Sequence, residues 1–170
     1  MTYPSDADDW SGALSLVKQL TLDHDVLKQV PVASVDALKL TTHSMTTTQT
    51  EVTPQSVVQM TLAANQEVTL TLWTNQPHTT YLTVVVNTTT GQVTLDRLHA
   101  GIPVNPDYGT TRIAQVAPHQ DVQLDFYLDN SVFELYLNQG EQVMTGRLFS
   151  EHPAYCWELP VKQVTSTWSE

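Results

Sequence analysis

Apolar and polar residues alternate through most of this chain. Val58, Met60 and Leu62, with Ala64 beyond them, fall on one side of a strand. Val68, Leu70 and Leu72 form the next such set, with Thr69 and Thr71 facing the other way. Leu82, Val84 and Val86 make a third, Val93 and Leu95 a fourth. Val122, Leu124, Phe126 and Leu128 make a fifth, opposed by Gln123, Asp125 and Tyr127. A period of two is what a half-buried strand requires, because successive side chains leave opposite faces of a sheet.

Turn residues punctuate these runs: Asn65-Gln66, Asn75-Gln76-Pro77, Gly91, Gly101 to Pro106, Asp129-Asn130 and Gln139-Gly140. Asn and Gly tolerate positive φ, and Pro cannot donate to a sheet ladder. Strands this close together favour antiparallel hairpins, since parallel pairs need long crossovers. A strand with its turn uses about ten residues, so the chain from Lys39 onward holds roughly ten to twelve strands. One flat sheet of that many strands buries only one face, whereas two packed sheets bury both inner faces. The predicted fold class is all-β, a two-sheet antiparallel β-sandwich. One short helical turn is expected within Ser34 to Leu40, where Val35, Leu38 and Lys39 share a face.

Composition agrees with a folded core. Of 170 residues, 41% are hydrophobic and only 15% charged, which argues against disorder despite a net charge of −11. That acidity leaves no basic face for nucleic acid or an anionic membrane, so neither is expected as a partner. A neutral sugar is compatible with it. The single cysteine, Cys156, excludes an intramolecular disulfide and reads as a buried free thiol. Six dispersed histidines show no metal-ligand spacing, so neither a metal nor a cofactor is expected. No apolar stretch reaches membrane-spanning length. The start, MTYPSDADDW, lacks a basic segment followed by an apolar run, so no signal peptide is read and a cytoplasmic location is expected.

Leu124 to Phe149, LDFYLDNSVFELYLNQGEQVMTGRLF, reads as three strands joined by two tight turns. A strand ends in Asp129, a turn carries Ser131, and the next strand carries Glu134. An Asn138-Gln139-Gly140-Glu141 hairpin then leads to Thr145-Gly146-Arg147 and Phe149. This order resembles the C-terminal β-sandwich of glycoside hydrolase family 32, the invertases, inulinases, levanases and sucrose-6-phosphate hydrolases. Asp96-Arg97 resembles a Leu-Asp-Arg strand end of that family, and Arg112 a downstream arginine of the same domain. Upstream, Trp10-Ser11-Gly12, an apolar strand, a turn at Asp23-His24-Asp25 and Gln29-Val30-Pro31 resemble the end of the family's catalytic propeller. The match departs at Val17-Lys18, where many relatives carry Pro-Arg.

The resemblance implies a division into residues 1–32 as a propeller remnant, 33–40 as a linker and 41–170 as the sandwich. It also implies that this chain does not begin at the parent protein's start. Residues 2–32 would then be disordered, folded against the sandwich, or paired with a second copy, and pairing is the preferred expectation.

Family members cleave β-fructofuranosides with two carboxyl groups, one a nucleophile and one an acid/base. They carry these on the propeller, in Trp-Met-Asn-Asp-Pro-Asn, Arg-Asp-Pro and Glu-Cys motifs. None of these occurs here, so no catalytic residue is assigned. Tyr155-Cys156-Trp157-Glu158 has Glu and Cys in the wrong order and reads as packing. Asn105-Pro106-Asp107 lacks the aromatic lead and reads as a Pro-rich loop. Asp96, Arg97, Arg112, Asp129, Glu134 and Arg147 read as strand-linking polar contacts. Trp73, Tyr81, Tyr127, Tyr136, Trp157 and Trp168 are candidates for stacking on a sugar, with core packing the plainer reading. Asn87-Thr88-Thr89 matches a glycosylation sequon, a pattern short enough to arise by chance.

Two further readings stay open beside the leading one. The leading reading is a noncatalytic C-terminal part of a β-fructofuranosidase, stabilising the propeller and aiding assembly. The others are an independent carbohydrate-binding sandwich and a structural or interaction protein. The partners expected are the propeller, a second copy of the chain, or a carbohydrate.

The purified chain is expected to release no fructose from sucrose, sucrose-6-phosphate, inulin or levan, because no nucleophile faces a positioned acid. Fructose release that scales with protein, and survives substitution of Asp107 and Glu158, would overturn this.

Overall fold

The alternating runs fold into strands whose apolar sets face one interior. The computed structural model describes residues 4–76, 78–104, 107–160 and 164–170. A short 3-10 helix at Pro4–Asp8 comes first, then a two-stranded hairpin, β1 (Lys18–Asp23) and β2 (Val26–Pro31), and a second 3-10 helix at Ala33–Leu38. Twelve strands follow: β3 (Thr42–Ser44), β4 (Gln49–Val52), β5 (Gln55–Leu62), β6 (Glu67–Asn75), β7 (Tyr81–Asn87) and β8 (Gln92–Asp96) come before the long loop. After it come β9 (Thr111–Gln115), β10 (Val122–Asp129), β11 (Val132–Leu137), β12 (Gln142–Arg147), β13 (Pro153–Glu158) and β14 (Val164–Ser169). No described helix is long and apolar enough to cross a membrane.

The strands form two six-stranded antiparallel sheets. The first has the order β12-β11-β10-β5-β14-β3 and the second β4-β13-β6-β7-β8-β9. The all-β, two-sheet expectation holds, and the helical turn lies where Val35 and Leu38 placed it. Val58, Met60, Leu62, Val68, Leu70 and Leu72 are all buried between the sheets. Phe126 stacks on Phe133, with ring centroids 5.5 Å apart, and meets Trp157 edge-on at 5.0 Å. These large rings fill the centre of the core, where truncating one to alanine typically costs about 3–5 kcal/mol.

Chain crossings between the sheets need polar ties, because turns there bring backbone groups into the interior. Thr88, fully buried, accepts from the Gln66 N–H at 2.9 Å, and its hydroxyl lies 3.0 Å from both the Ala63 and Gln66 carbonyls. The Tyr155 hydroxyl donates to the Asn130 carbonyl at 2.7 Å, joining β13 of the second sheet to the β10–β11 turn of the first. Burial pushes this phenol up to about 12, so it remains a donor at neutral pH.

The β1–β2 strands pair with each other in register, Lys18 opposite Pro31 and Asp23 opposite Val26. Their turn places His24 and Asp25 at positive φ, and Lys28 bonds Asp23 at 3.0 Å. That contact, with a second from His24, holds the Asp23 carboxyl below its usual range. The hairpin lies against the β11–β12 turn, where the Gln29 N–H donates to the Gly140 carbonyl at 3.0 Å. Residues 4–32 of the described segment are therefore folded against the sandwich of the same chain.

Gly140 sits at φ +83°, and a Cβ there would press into the backbone of Gln29. Two demands meet at one residue: a left-handed turn and the close approach of β2. Gly140→Val should lower the Tm by roughly 4–10 °C. An unchanged melting curve would show that neither demand is real.

Candidate functional site

Strand β11 alternates Phe133, Leu135 and Leu137 into the core with Glu134 and Tyr136 onto the opposite face. A polar outer face normally meets water. Here Glu134 is 2% exposed and Tyr136 1%, because the N-terminal segment crosses over them. Lys18 Nζ lies 2.6 Å from Glu134 Oε2, and Tyr136 donates its hydroxyl to the same oxygen at 2.8 Å. The Leu16 backbone N–H donates to Oε1. Lys18 also stands over the Tyr136 ring at 5.9 Å, and Tyr127 meets that ring edge-on at 5.5 Å. Burial first, and then the neighbouring Glu134, push the Tyr136 phenol far above its ordinary value. Both carboxylate oxygens are thus taken by donors, which is the condition under which a charge can be buried.

Beside this cluster runs a groove of about 230 Å³, lined by Leu14, Leu16, Val35, Leu38, Tyr127 and Glu134 among others. Lys39 lies over the Tyr127 ring at 5.7 Å and bonds Asp36 at 2.7 Å. Burial works against the Lys39 charge, but the Asp36 bond and nearby negative groups leave its pKa raised. Leu14 and Leu38 of the groove wall are themselves exposed, Leu14 almost completely, as are Leu20, Leu22, Leu27 and Leu40 outside it.

The other motif residues gather in two places. Asn138, at φ +48°, accepts from the Gln123 N–H at 3.1 Å, and its amide lies 3.5 Å from Glu141. Together with Gly140 they shape the turn on which β2 rests. The chain's three arginines line a second groove, of about 210 Å³, between the β8–β9 side and β12. Arg147 donates to Ser131 Oγ at 2.9 Å and packs between the Trp10 and Phe149 rings, 5.1 and 4.7 Å away. Arg97 donates to the Arg147 carbonyl at 3.3 Å, and Arg112 to the Gly109 and Thr111 carbonyls at 2.9 and 2.8 Å. Asp96 caps the Leu98 N–H at 2.9 Å. Asp129 is exposed and accepts from the adjacent Asn130 amide at 3.1 Å. Thr145 is exposed on β12, opposite Glu134.

These carboxylates hold backbone and lysine donors and do not converge as an acid and a nucleophile. Among the described residues no group of three His, Cys, Asp or Glu side chains is placed to hold a metal. Of the candidate aromatics, Trp157 and Tyr136 are buried, while Trp73 and Tyr81 lie side by side on the second sheet. The Trp168 side chain, and Asn105 and Pro106 of the Pro-rich loop, lie outside the described residues. Sequence reasoning singled out Glu134, and Tyr136 only as a stacking candidate, but missed the link between them and their ties to Lys18 and the Leu16 backbone. The one signal available was the cation retained at Lys18, where the resembled family carries arginine.

Residues 18–167 match the family model described as glycosyl hydrolases family 32 C terminal. Sucrose-6-phosphate hydrolase of Pediococcus pentosaceus is 38% identical over 154 residues, covering 88% of this chain and 30% of that protein. The enzyme of the same name from Streptococcus mutans serotype c is 33% identical over 147 residues, covering 86% and 30%. The structure of sucrose-6-phosphate hydrolase from Lactobacillus gasseri superposes with a TM-score of 0.88 at 28% identity, covering 99% of this chain and 36% of that one. A Bombyx mori GH32 beta-fructofuranosidase shares the fold at a TM-score of 0.81 and 19% identity, covering 100% of this chain and 35% of that one. The chain thus spans about a third of the length of the proteins it matches.

Lys18→Met should destabilise the chain by up to about 3–5 kcal/mol, because it strands the Glu134 charge. Peeling of the N-terminal segment would rehydrate that charge, so limited proteolysis should cut before Val32 while the sandwich survives. Lys18→Met combined with Glu134→Gln should recover most of the loss. Equal stability of wild type and the single variant would sink the buried-pair argument.

Proposed function

The chain belongs to glycosyl hydrolase family 32, as its C-terminal domain, and we propose that it is a noncatalytic cover for the catalytic domain of a sucrose-6-phosphate hydrolase. One observation carries this reading. The β1–β2 hairpin is clamped to the sandwich through Glu134 and Gly140, yet turns Leu20, Leu22 and Leu27 to solvent. An apolar patch held in place by a buried ion pair is a docking surface prepared for a protein neighbour. The catalytic domain is the neighbour that family membership supplies.

Its contribution is rigidity. A propeller blade that meets solvent has an exposed strand edge and one bare apolar face. A hairpin locked to a two-sheet sandwich covers both without donating a reactive group, since Glu134 is committed to Lys18, Leu16 and Tyr136. Sucrose-6-phosphate, named for the relatives, is the substrate class assigned to the whole enzyme. A second copy of the chain is the alternative occupant of the same patch.

Exchange of the matching third of the Pediococcus pentosaceus enzyme for this chain tests the reading. The chimera should stay soluble and hydrolyse sucrose-6-phosphate, whereas the enzyme lacking that third should aggregate or lose activity. Leu20→Asp with Leu22→Asp in the chimera should lower its Tm and leave the sandwich folded. A truncated enzyme as stable and active as the chimera would overturn the proposal.

A further inference from the structure

The two sheets treat their outer faces differently. The first is crossed by the N-terminal segment. The outer face of the second carries a continuous band of rings. His78 stacks on Trp73 with centroids 5.3 Å apart and planes 15° from parallel. Trp73 meets Tyr81 edge-on at 5.2 Å, and Tyr81 meets His99 at 5.2 Å. Trp73 and Tyr81 are directly opposite on β6 and β7, on the face away from Leu72 and Leu82. Both are partly exposed, unlike Trp157, Phe126 and Phe133 of the core.

The neighbouring row is polar. Gln49, Glu158, Thr71, Thr83 and Asp96 succeed one another across five strands, each opposite the next. Directly opposed residues share a face, so this row runs beside the rings. Glu158 Oε2 accepts from Gln49 Nε2 and Trp73 Nε1, both at 3.0 Å. The Gln49 contact and then the Trp73 contact hold the Glu158 carboxyl below its usual range, so it is an anion at neutral pH. Both donors reach the same oxygen. No described donor bonds Oε1, which is left to accept from an incoming hydroxyl.

We propose that this face, centred on Trp73, Tyr81 and Glu158, binds a neutral saccharide chain. A sugar presents C–H groups on one side of its ring and hydroxyls around its rim. The rings supply an apolar platform for the first. The ionised Glu158 and the Thr71 and Thr83 hydroxyls supply an acceptor and adaptable donor–acceptors for the second. Glu158 and Asp96 lie in the row with no lysine or arginine among its members, which disfavours phosphates, acidic glycans and nucleic acid. A band of rings beside a polar row that runs across five strands suits an extended oligosaccharide or polysaccharide more than a free monosaccharide, which needs a concave site. The proposal does not depend on the docking reading above, because that concerns the hairpin over the other sheet.

The full chain is run through native gels containing inulin, levan, xylan or laminarin, with a sugar-free gel and polygalacturonate as controls. Retardation is expected in at least one neutral polysaccharide and not in polygalacturonate. Trp73→Ala should weaken that retardation about tenfold. Glu158→Gln should weaken it less, and Tyr127→Phe, on the other sheet, should leave it unchanged. Circular dichroism establishes that each variant is folded. Where Trp73→Ala does not fold, Thr83→Arg blocks the same face without touching the core and should abolish retardation. Unaltered mobility of the wild type in all neutral gels overturns the proposal. So does retardation that persists in folded Trp73→Ala or Thr83→Arg.

Discussion

A buried carboxylate with three donors is the constraint on which the placing of the N-terminal segment depends. Glu134 has lost its water, so its charge must be met by protein. Lys18, the Leu16 backbone and Tyr136 meet it, and two of these three lie in the segment that does the burying. Burial and pairing are therefore one event: the segment cannot leave without hydrating the charge, nor dock without neutralising it. A methyl in place of the carboxylate would give the same burial without this dependence on position. The ion pair ties the hairpin to one place on the sandwich, and by itself it is weak evidence of net stability.

Most of the sandwich was legible because strand periodicity is a strong signal where one face is dry. Val68, Leu70 and Leu72 alternate with Thr69 and Thr71, and the structure buries one set and exposes or half-exposes the other. β10 follows the same logic, and β10, β11 and β12 stand where the two turns placed them. β3 has three residues and β4 four, too few to show a period. β13 reads as a near-continuous buried run, Tyr155-Cys156-Trp157, because Cys156 on its outer face is buried as well. Such a run shows burial but not which residue faces which way.

The docking of the hairpin was harder to read, for a physical reason. Glu134 and Tyr136 occupy outward positions of a strand, where alternation predicts water. Nothing local distinguishes a solvated glutamate from one that a distant segment will cover. The matching cation is more than a hundred positions away in the chain and sits in a strand of its own, where a lysine looks ordinary. The three arginines were legible as motif members, but Arg97 and Arg112 donate to backbone carbonyls, which side-chain identity does not encode.

Cys156 faces outward on β13, opposite Trp73 on one side and Glu51 on the other, yet is buried. Burial first, and then the nearby Glu51 charge, raise its thiol pKa, so it is both inaccessible and poorly nucleophilic in the folded chain. A thiol reagent can reach it only after β13 parts from a neighbour. The sole sulfhydryl of the chain thus works as a built-in clock for the breathing of the second sheet. It is largely blind to fraying of the hairpin on the first. The two halves of the molecule can be timed separately, one by alkylation and the other by protease.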